Sequence, residues 1–439
     1  MVQKRVSKPA RPTIAVLGIW HQGAVLSAGL ADLGNHVTGI VPTQEQADAM
    51  NGGVTPVAEP GLSELIATNR RARRLEYTTA TDAVRTADFI YISHDTPVDD
   101  DDVPDVRPIM EVVAQIARAR KSPGIVCVTA QVPIGTCDRI EEIFRASGSK
   151  LQVVYVPEFL RLGIALRLFQ KPDRVVIGGA AAPAAKTRAL YEPLKCPILV
   201  TDRRSAEMGK HASNCFLANS ISFINELADF CEVTGADVEQ VAAIMKADKR
   251  IGAQAFLTAG LGFAGGTLGR EIRVLQEIGR KHKKPSAVLD AVWAVNQSRP
   301  GMIVDRLRRE LASLNRKQIA VLGLTYKAGT TTMRRAVSLD IISRLVGEGA
   351  AVRAFDPLAN MDEVPEAPTF ERVDAPLAAF RGADAALLLT EWDGIDKLDW
   401  KRARKQARGA ILLDTRNLLE SASMTRAGFT YLRIGRGAQ

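Results

Sequence analysis

Aromatic residues are scarce, at 5% of 439 positions, and the 58 Lys and Arg residues form no block interleaved with them. The stacking platforms and basic patches of a nucleic-acid surface are therefore missing. The net charge of +9 is spread along the chain, which suits an anionic small molecule. Cysteine is sparse too, and Cys127, Cys137, Cys196, Cys215 and Cys231 make no CxxC pair and no metal-ligand spacing. Isolated thiols of this kind fit a reducing compartment, so a cytoplasmic location and no metal are expected. The acidic run Asp99, Asp100, Asp101 and Asp102, with Asp105 behind it, has no His at ligand spacing and reads as a solvated loop. No apolar run reaches the roughly 18 residues of a membrane helix, and no membrane partner is expected.

What the chain does contain is an ordinary globular balance, 46% hydrophobic and 24% charged. Its length exceeds what one core supports, so two or three domains are expected. The pentapeptide IAVLG occurs at residues 14–18 and again at 319–323. Each copy is followed by a helical pattern ending in glycine, Gly34 or Gly349, and then by a second β-branched run, HVTGIV or AVRAFD. Two βαβ units therefore open two α/β domains. Further strands are expected at 88–93, 124–130, 153–157 and 174–178 in the first, and at 383–390 and 410–415 in the second. Between them, residues 206–308 carry almost no strand signal. A proline-free stretch from Ala206 predicts a helix about 40 Å long at 1.5 Å per residue, the kind of element that links domains or forms a subunit interface. The expected fold is thus α/β: two Rossmann-like, doubly wound parallel-sheet domains joined by an all-helical dimerisation core. The boundaries are a basic flexible tail at 1–12, a first α/β domain at 13–204, the helical domain at 205–308 and a second α/β domain at 309–439.

Candidate chemistry gathers at four places. The turn Gly18 to Gly23 keeps the outer glycines of a dinucleotide fingerprint but carries Trp20 where the middle glycine lets a pyrophosphate approach. The acid that would hold a ribose hydroxyl is absent: Val41 stands at the end of the second strand, and its counterpart Asp356 lies in the other domain. No arginine follows Val41 closely to point to NADP, which stays open. Lys210 and Asn214 share one face of the long helix among small and apolar neighbours, and a buried lysine needs a partner or a task. Glu158 directly follows a strand, at the sheet edge where α/β ligands bind, unless it merely caps the next helix. Finally GLGFAGGTLGRE, residues 260–271, places five glycines in ten positions at a helix start, more than a turn needs, which favours close approach of a ligand.

Taken in order, the segments VTPVAEPGL (54–62), DTP (95–97), VPEFLRLGIAL (156–166), PDRVVIG (172–178), AEMGKHASNCFLANSISFINE (206–226), DKRIG (248–252), the glycine loop, LGLTYKAGT (322–330), TEW (390–392) and DTRN (414–417) resemble the nucleotide-sugar 6-dehydrogenase family. The resemblance runs from about residue 13 to residue 417. It implies an NAD domain, a helical dimer core and a nucleotide-binding domain, with oxidation of a sugar C6 alcohol through a cysteine thioester. It also implies that Lys210 and Asn214 stabilise the developing oxyanion, with Glu158 serving the proton-transfer and water steps. Gly18, Trp20, His21, Gly23, Thr96, Gln131 and Arg334 would meet the cofactor. Phe159, Leu160, Arg250, Phe256, Gly262, Phe263 and Lys327 would meet the nucleotide sugar.

This chain departs from the pattern where the nucleophile should be. Thr267 takes the cysteine position, followed by Arg270 and Glu271 in place of lysine and aspartate; Thr267 and Glu271 are kept among the catalytic candidates. Leu162, Val41, Trp20, Gln131, Thr331 and Thr332 also differ from the family's residues. A thiol near pKa 8.5 supplies thiolate at neutral pH and an unactivated hydroxyl supplies essentially none. The expectation is an NAD-dependent oxidoreductase acting without a thioester, against the alternatives of a silent nucleotide-sugar-binding paralogue or redox-neutral sugar chemistry with retained NAD.

Overall fold

A computed structural model describes residues 11–99, 104–264, 266–333 and 335–437. Most of the basic tail, Asp100 to Asp102, Gly265 and Arg334 lie outside the described residues. The chain forms two compact units, Met1–Ala212 and Ser213–Gln439.

The first unit is built on an eight-stranded sheet of β1 (Thr13–Leu17), β2 (His36–Ile40), β3 (Leu75–Thr78), β4 (Phe89–Ile92), β5 (Gly124–Val128), β6 (Leu151–Tyr155), β7 (Val175–Gly178) and β8 (Ile198–Thr201). Its order is β3-β2-β1-β4-β5-β6-β7-β8. Side chains alternate along each strand, so Ile14 and Val16 enter the core on one face while Ala15 enters the core on the other. Both faces are covered, which is why β4 and β5 read as continuous apolar runs. The second unit holds β9 (Gln318–Leu322), β10 (Ala351–Phe355), β11 (Glu371–Arg372), β12 (Ala385–Leu388), β13 (Ile411–Asp414) and β14 (Thr430–Arg433), ordered β11-β10-β9-β12-β13-β14. In β9, Ile319 and Val321 face one core and Ala320 and Leu322 the other, repeating the sidedness of the first IAVL.

The two parallel-sheet domains are as expected, with one antiparallel pairing in the first sheet. Strand β7 meets β6 antiparallel, at Tyr155 opposite Gly178, before pairing parallel with β8. Strands β3, β8, β11 and β14 were not foreseen. They are two to four residues long, and each lies at the edge of its sheet.

The helical stretch expected from Ala206 runs Arg203–Thr234, about 48 Å at 1.5 Å per residue. In the first unit its start is pinned by Arg203 to Asp138 at 2.8 Å and to Glu141 at 2.7 Å. Glu207 accepts Gly135 N at 2.6 Å and Cys137 N at 2.9 Å, satisfying the first turn of the helix Thr136–Ala146; burial pushes its carboxyl upward. In the second unit Arg299, on the helix Ala287–Leu311, reaches Asp229 at 2.7 Å. No helix among the described residues is long and apolar enough to cross a membrane.

Candidate active site

Parallel neighbours β1, β4, β5 and β6 end on one edge, so the residues that follow them become neighbours although they are far apart in sequence. Gly18 follows β1 with φ +84°, and a Cβ there would stand 2.5 Å from His94 N, just past β4. Thr96 is buried and its hydroxyl donates to the carbonyl of Gln131 beyond β5, at 2.6 Å. Helix α1 (His21–Asp32) starts behind Trp20 with no side-chain cap and no acidic residue in its first turn. Uncapped N–H groups aimed out of a helix are an anion site, so these residues fit the diphosphate of a dinucleotide. Trp20 is 56% exposed. At the end of β2, Val41 is buried and offers the ribose no acceptor.

His21, expected at the cofactor, is turned to a residue the sequence reading passed over. Its Nε2 lies 2.8 Å from Glu59, whose carboxylate also accepts Gly163 N at 2.9 Å and Leu166 N at 3.4 Å. The one available signal was a lone carboxylate in the apolar segment 54–62.

Glu158 is not a helix cap. The helix that follows begins only at Ala165, and the carboxylate instead accepts Leu160 N at 2.6 Å and Gln22 Nε2 at 2.9 Å. Lys210, 5% exposed, donates its ammonium to the Glu158 main-chain carbonyl at 2.5 Å and stands 3.8 Å from the carboxylate. The Phe159 ring lies against two cations, Lys210 at 4.7 Å and the Arg174 guanidinium at 4.2 Å. Gln22, Glu158, Phe159, Leu160 and Arg174 line a cavity of about 90 Å³. A buried ammonium beside a carboxylate on the edge that carries the diphosphate turn can stabilise a developing oxyanion and accept or pass a proton.

In the second unit, Asn214 is buried and its Nδ2 has no hydrogen-bond partner among the described residues. Thr267 is exposed at the N-terminal boundary of the helix Leu268–Lys281, and its hydroxyl does not cap that helix. Glu271 is fully buried and lies 3.2 Å from Arg270. Cys215 sits in an apolar cluster with Phe263 and Ile272, and burial pushes its thiol up to about 12, with Glu271 adding to the effect. No thiolate is available there at neutral pH.

The glycine loop packs against protein rather than leaving room for a ligand at its first two glycines. Gly260 N donates to Asn225 at 2.8 Å, and a Cβ on Gly262 would meet Asn296 Oδ1 at 2.3 Å. Asn296 also grips Phe263 through both its N–H, at 2.8 Å, and its carbonyl, at 3.0 Å. Gly262 therefore has its reason to be glycine within the fold, a left-handed φ of +89° beside Asn296, which corrects the ligand-approach reading at that position. Arg250 is exposed and paired with Asp248 at 2.6 Å, Phe256 is exposed, and Lys327 is exposed on a loop where its carbonyl accepts Thr330 Oγ1 at 2.9 Å. Among the described residues no cluster of three His, Cys, Asp or Glu could hold a metal ion.

Three models of one family match consecutive parts of the chain: the UDP-glucose/GDP-mannose dehydrogenase family NAD binding domain at residues 12–195, its central domain at 204–298 and its UDP binding domain at 320–421. A UDP-glucose 6-dehydrogenase of Pseudomonas aeruginosa is 35% identical, with 96% of this chain and 97% of the relative aligned. One from Bacillus subtilis is 36% identical over 97% of this chain and 98% of its own length. The solved UDP-glucose dehydrogenase of the hyperthermophilic archaeon Pyrobaculum islandicum superposes with a TM-score of 0.88 at 29% identity, covering 100% of both chains. With the NAD binding, central and UDP binding domains matched in order, the chain belongs to the UDP-glucose/GDP-mannose dehydrogenase family, NAD-dependent oxidoreductases acting on CH–OH groups.

Proposed function

We propose that this enzyme oxidises the C6 alcohol of a UDP-sugar to the aldehyde without forming a covalent bond to the protein. When bound, NAD supplies the hydride acceptor. Hydride leaves C6 as the hydroxyl proton is taken up, so one alcohol and one NAD give one aldehyde, one NADH and one proton. The observation carrying the reading is the buried Lys210 ammonium, held by the Glu158 carbonyl beside its carboxylate, in a chain whose residue at the nucleophile position is Thr267.

Lys210 and Asn214 are the oxyanion donors, and the unpartnered Nδ2 of Asn214 supports that assignment. Glu158 accepts the proton. Phe159 and Leu160 border the sugar, while Arg250, Phe256, Phe263 and Lys327 serve the nucleotide sugar. Glu271, buried and paired with Arg270 on the helix that follows Thr267, is kept with Thr267 among the catalytic candidates. Gly18, Trp20, His21, Gly23, Thr96 and Gln131 hold NAD, with Arg334 assigned to its phosphates. Without a tether, the aldehyde leaves after one oxidation.

A homodimer through the long helix belongs to this reading. Phe216, Phe223 and Phe230 recur every seven residues and are exposed, at 70%, 44% and 57%, the spacing of a helix–helix seam. The central domain, residues 205–308, is then the dimerisation domain, and the five free cysteines suit the cytoplasm. Incubating the protein with NAD and a panel of nucleotide sugars tests the function: one NADH per sugar consumed is expected, and none from any sugar refutes it.

A further inference from the structure

Gln22, the second residue of α1, lies within the Gly18 to Gly23 turn without a role in the reading so far, yet its side chain ends on the carboxylate at the centre of the site. Glu158 has its two oxygens divided between two donors. Oε2 takes Leu160 N at 2.6 Å, a local bond that the backbone fixes. Oε1 takes Gln22 Nε2 at 2.9 Å, a bond that joins α1 to the loop behind β6. The ammonium of Lys210 stands 3.8 Å from that same Oε1 and spends its short bond, at 2.5 Å, on the Glu158 main-chain carbonyl.

A direct ammonium–carboxylate hydrogen bond measures about 2.7–2.9 Å, so the 3.8 Å gap is a pair held just short of contact. Both side chains are shielded from water, at 6% and 16% exposure, so attraction between them is poorly screened and favours collapse. The amide of Gln22 opposes that collapse by occupying Oε1 with a donor that carries no net charge. Were the gap to close, the carboxylate would cancel the field of the ammonium and direct its lone pair at lysine instead of at a substrate proton.

We infer that Gln22 is a positioning residue for the reaction: it holds the Glu158 carboxylate off Lys210, keeping one group available as proton acceptor and the other as cation. The inference rests on the oxidoreductase reading above. It places a determinant of turnover on the first turn of the helix that opens at the diphosphate site, where the side chain needs to touch neither cofactor nor sugar.

Gln22→Met keeps the length of the side chain and removes the donor. With UDP-glucose and NAD as probes, kcat falls about tenfold, less than the ~10²-fold loss expected for deleting an oxyanion donor outright, while the KM for each compound stays within about twofold. A merely structural role would move KM or the melting temperature instead. A crystal structure of the variant shows Lys210 Nζ at about 2.8 Å from the Glu158 carboxylate, a readout independent of activity. Gln22→Ser, too short to reach Glu158, gives the same two results should the methionine variant fold poorly. An unchanged kcat, or a gap that stays near 3.8 Å in the variant, overturns the inference while leaving the function standing. A wild-type protein that reduces no NAD with any nucleotide sugar removes the function and the inference together.

Discussion

Gly18 and Gly323 close the same pentapeptide, one after β1 and one after β9, and both adopt left-handed backbone, with φ of +84° and +99°. Each presses on the chain just past the neighbouring strand: a Cβ would stand 2.5 Å from His94 N in the first unit and 2.4 Å from Thr390 Cβ in the second. Beyond the glycines the two turns part. In the first, α1 begins at His21 and Val41 leaves the end of β2 without an acid. In the second, Asp356 follows β10, but its carboxylate is taken up by Leu324 N at 2.7 Å, Thr325 N at 3.0 Å, Leu358 N and Ala359 N at 2.9 Å, and Trp392 Nε1 at 3.2 Å. An acid where a ribose ligand would sit thus serves as the knot of its own loop. A glycine turn marks a possible ligand site, and the partners of its polar groups decide whether they are free to bind one.

Breaking that knot has the largest expected effect. Asp356→Ala orphans several buried N–H groups at once, each costing about 1–3 kcal/mol, so the second unit loses roughly 3 kcal/mol or more in chemical denaturation while NAD affinity is unchanged. Gly18→Ala and Gly323→Ala come next. Each forces a side chain into left-handed backbone and into a neighbour, for roughly 2–4 kcal/mol in a melting experiment, and titration finds NAD binding impaired in the Gly18 variant alone. Smallest is Val41→Asp, which restores a ribose acceptor: NAD binds about tenfold tighter, the size of one hydrogen bond to a charged group, and discrimination against NADP rises.

Much of this was legible because it rests on periodicity. The IAVLG repeat located both sheets, since a β-branched run ending in glycine before a helical pattern is a local property of the chain. The long helix was visible in a run free of proline, and Glu158 in its place behind a strand. The partners of those residues were not legible. Gln22 and Glu158 are 136 positions apart, and only the β1-β4-β5-β6 order brings them together. Glu59 escaped for the same reason, and so did Asn296, whose contact with Gly262 explains a glycine first assigned to a ligand. The reversal at β7 left no trace in composition, because a buried strand reads alike in either direction.

The claim that oxidation here needs no protein thiol is tested most directly by measuring NADH formed per UDP-sugar before and after exhaustive alkylation with iodoacetamide near pH 8. Cys215 is buried and pushed up to about 12, and Cys127 is buried and pushed up to about 12, so neither offers a nucleophile under these conditions. One NADH per sugar, at a rate that alkylation leaves unchanged, is the predicted result. Two NADH per sugar in a reaction abolished by alkylation would contradict it.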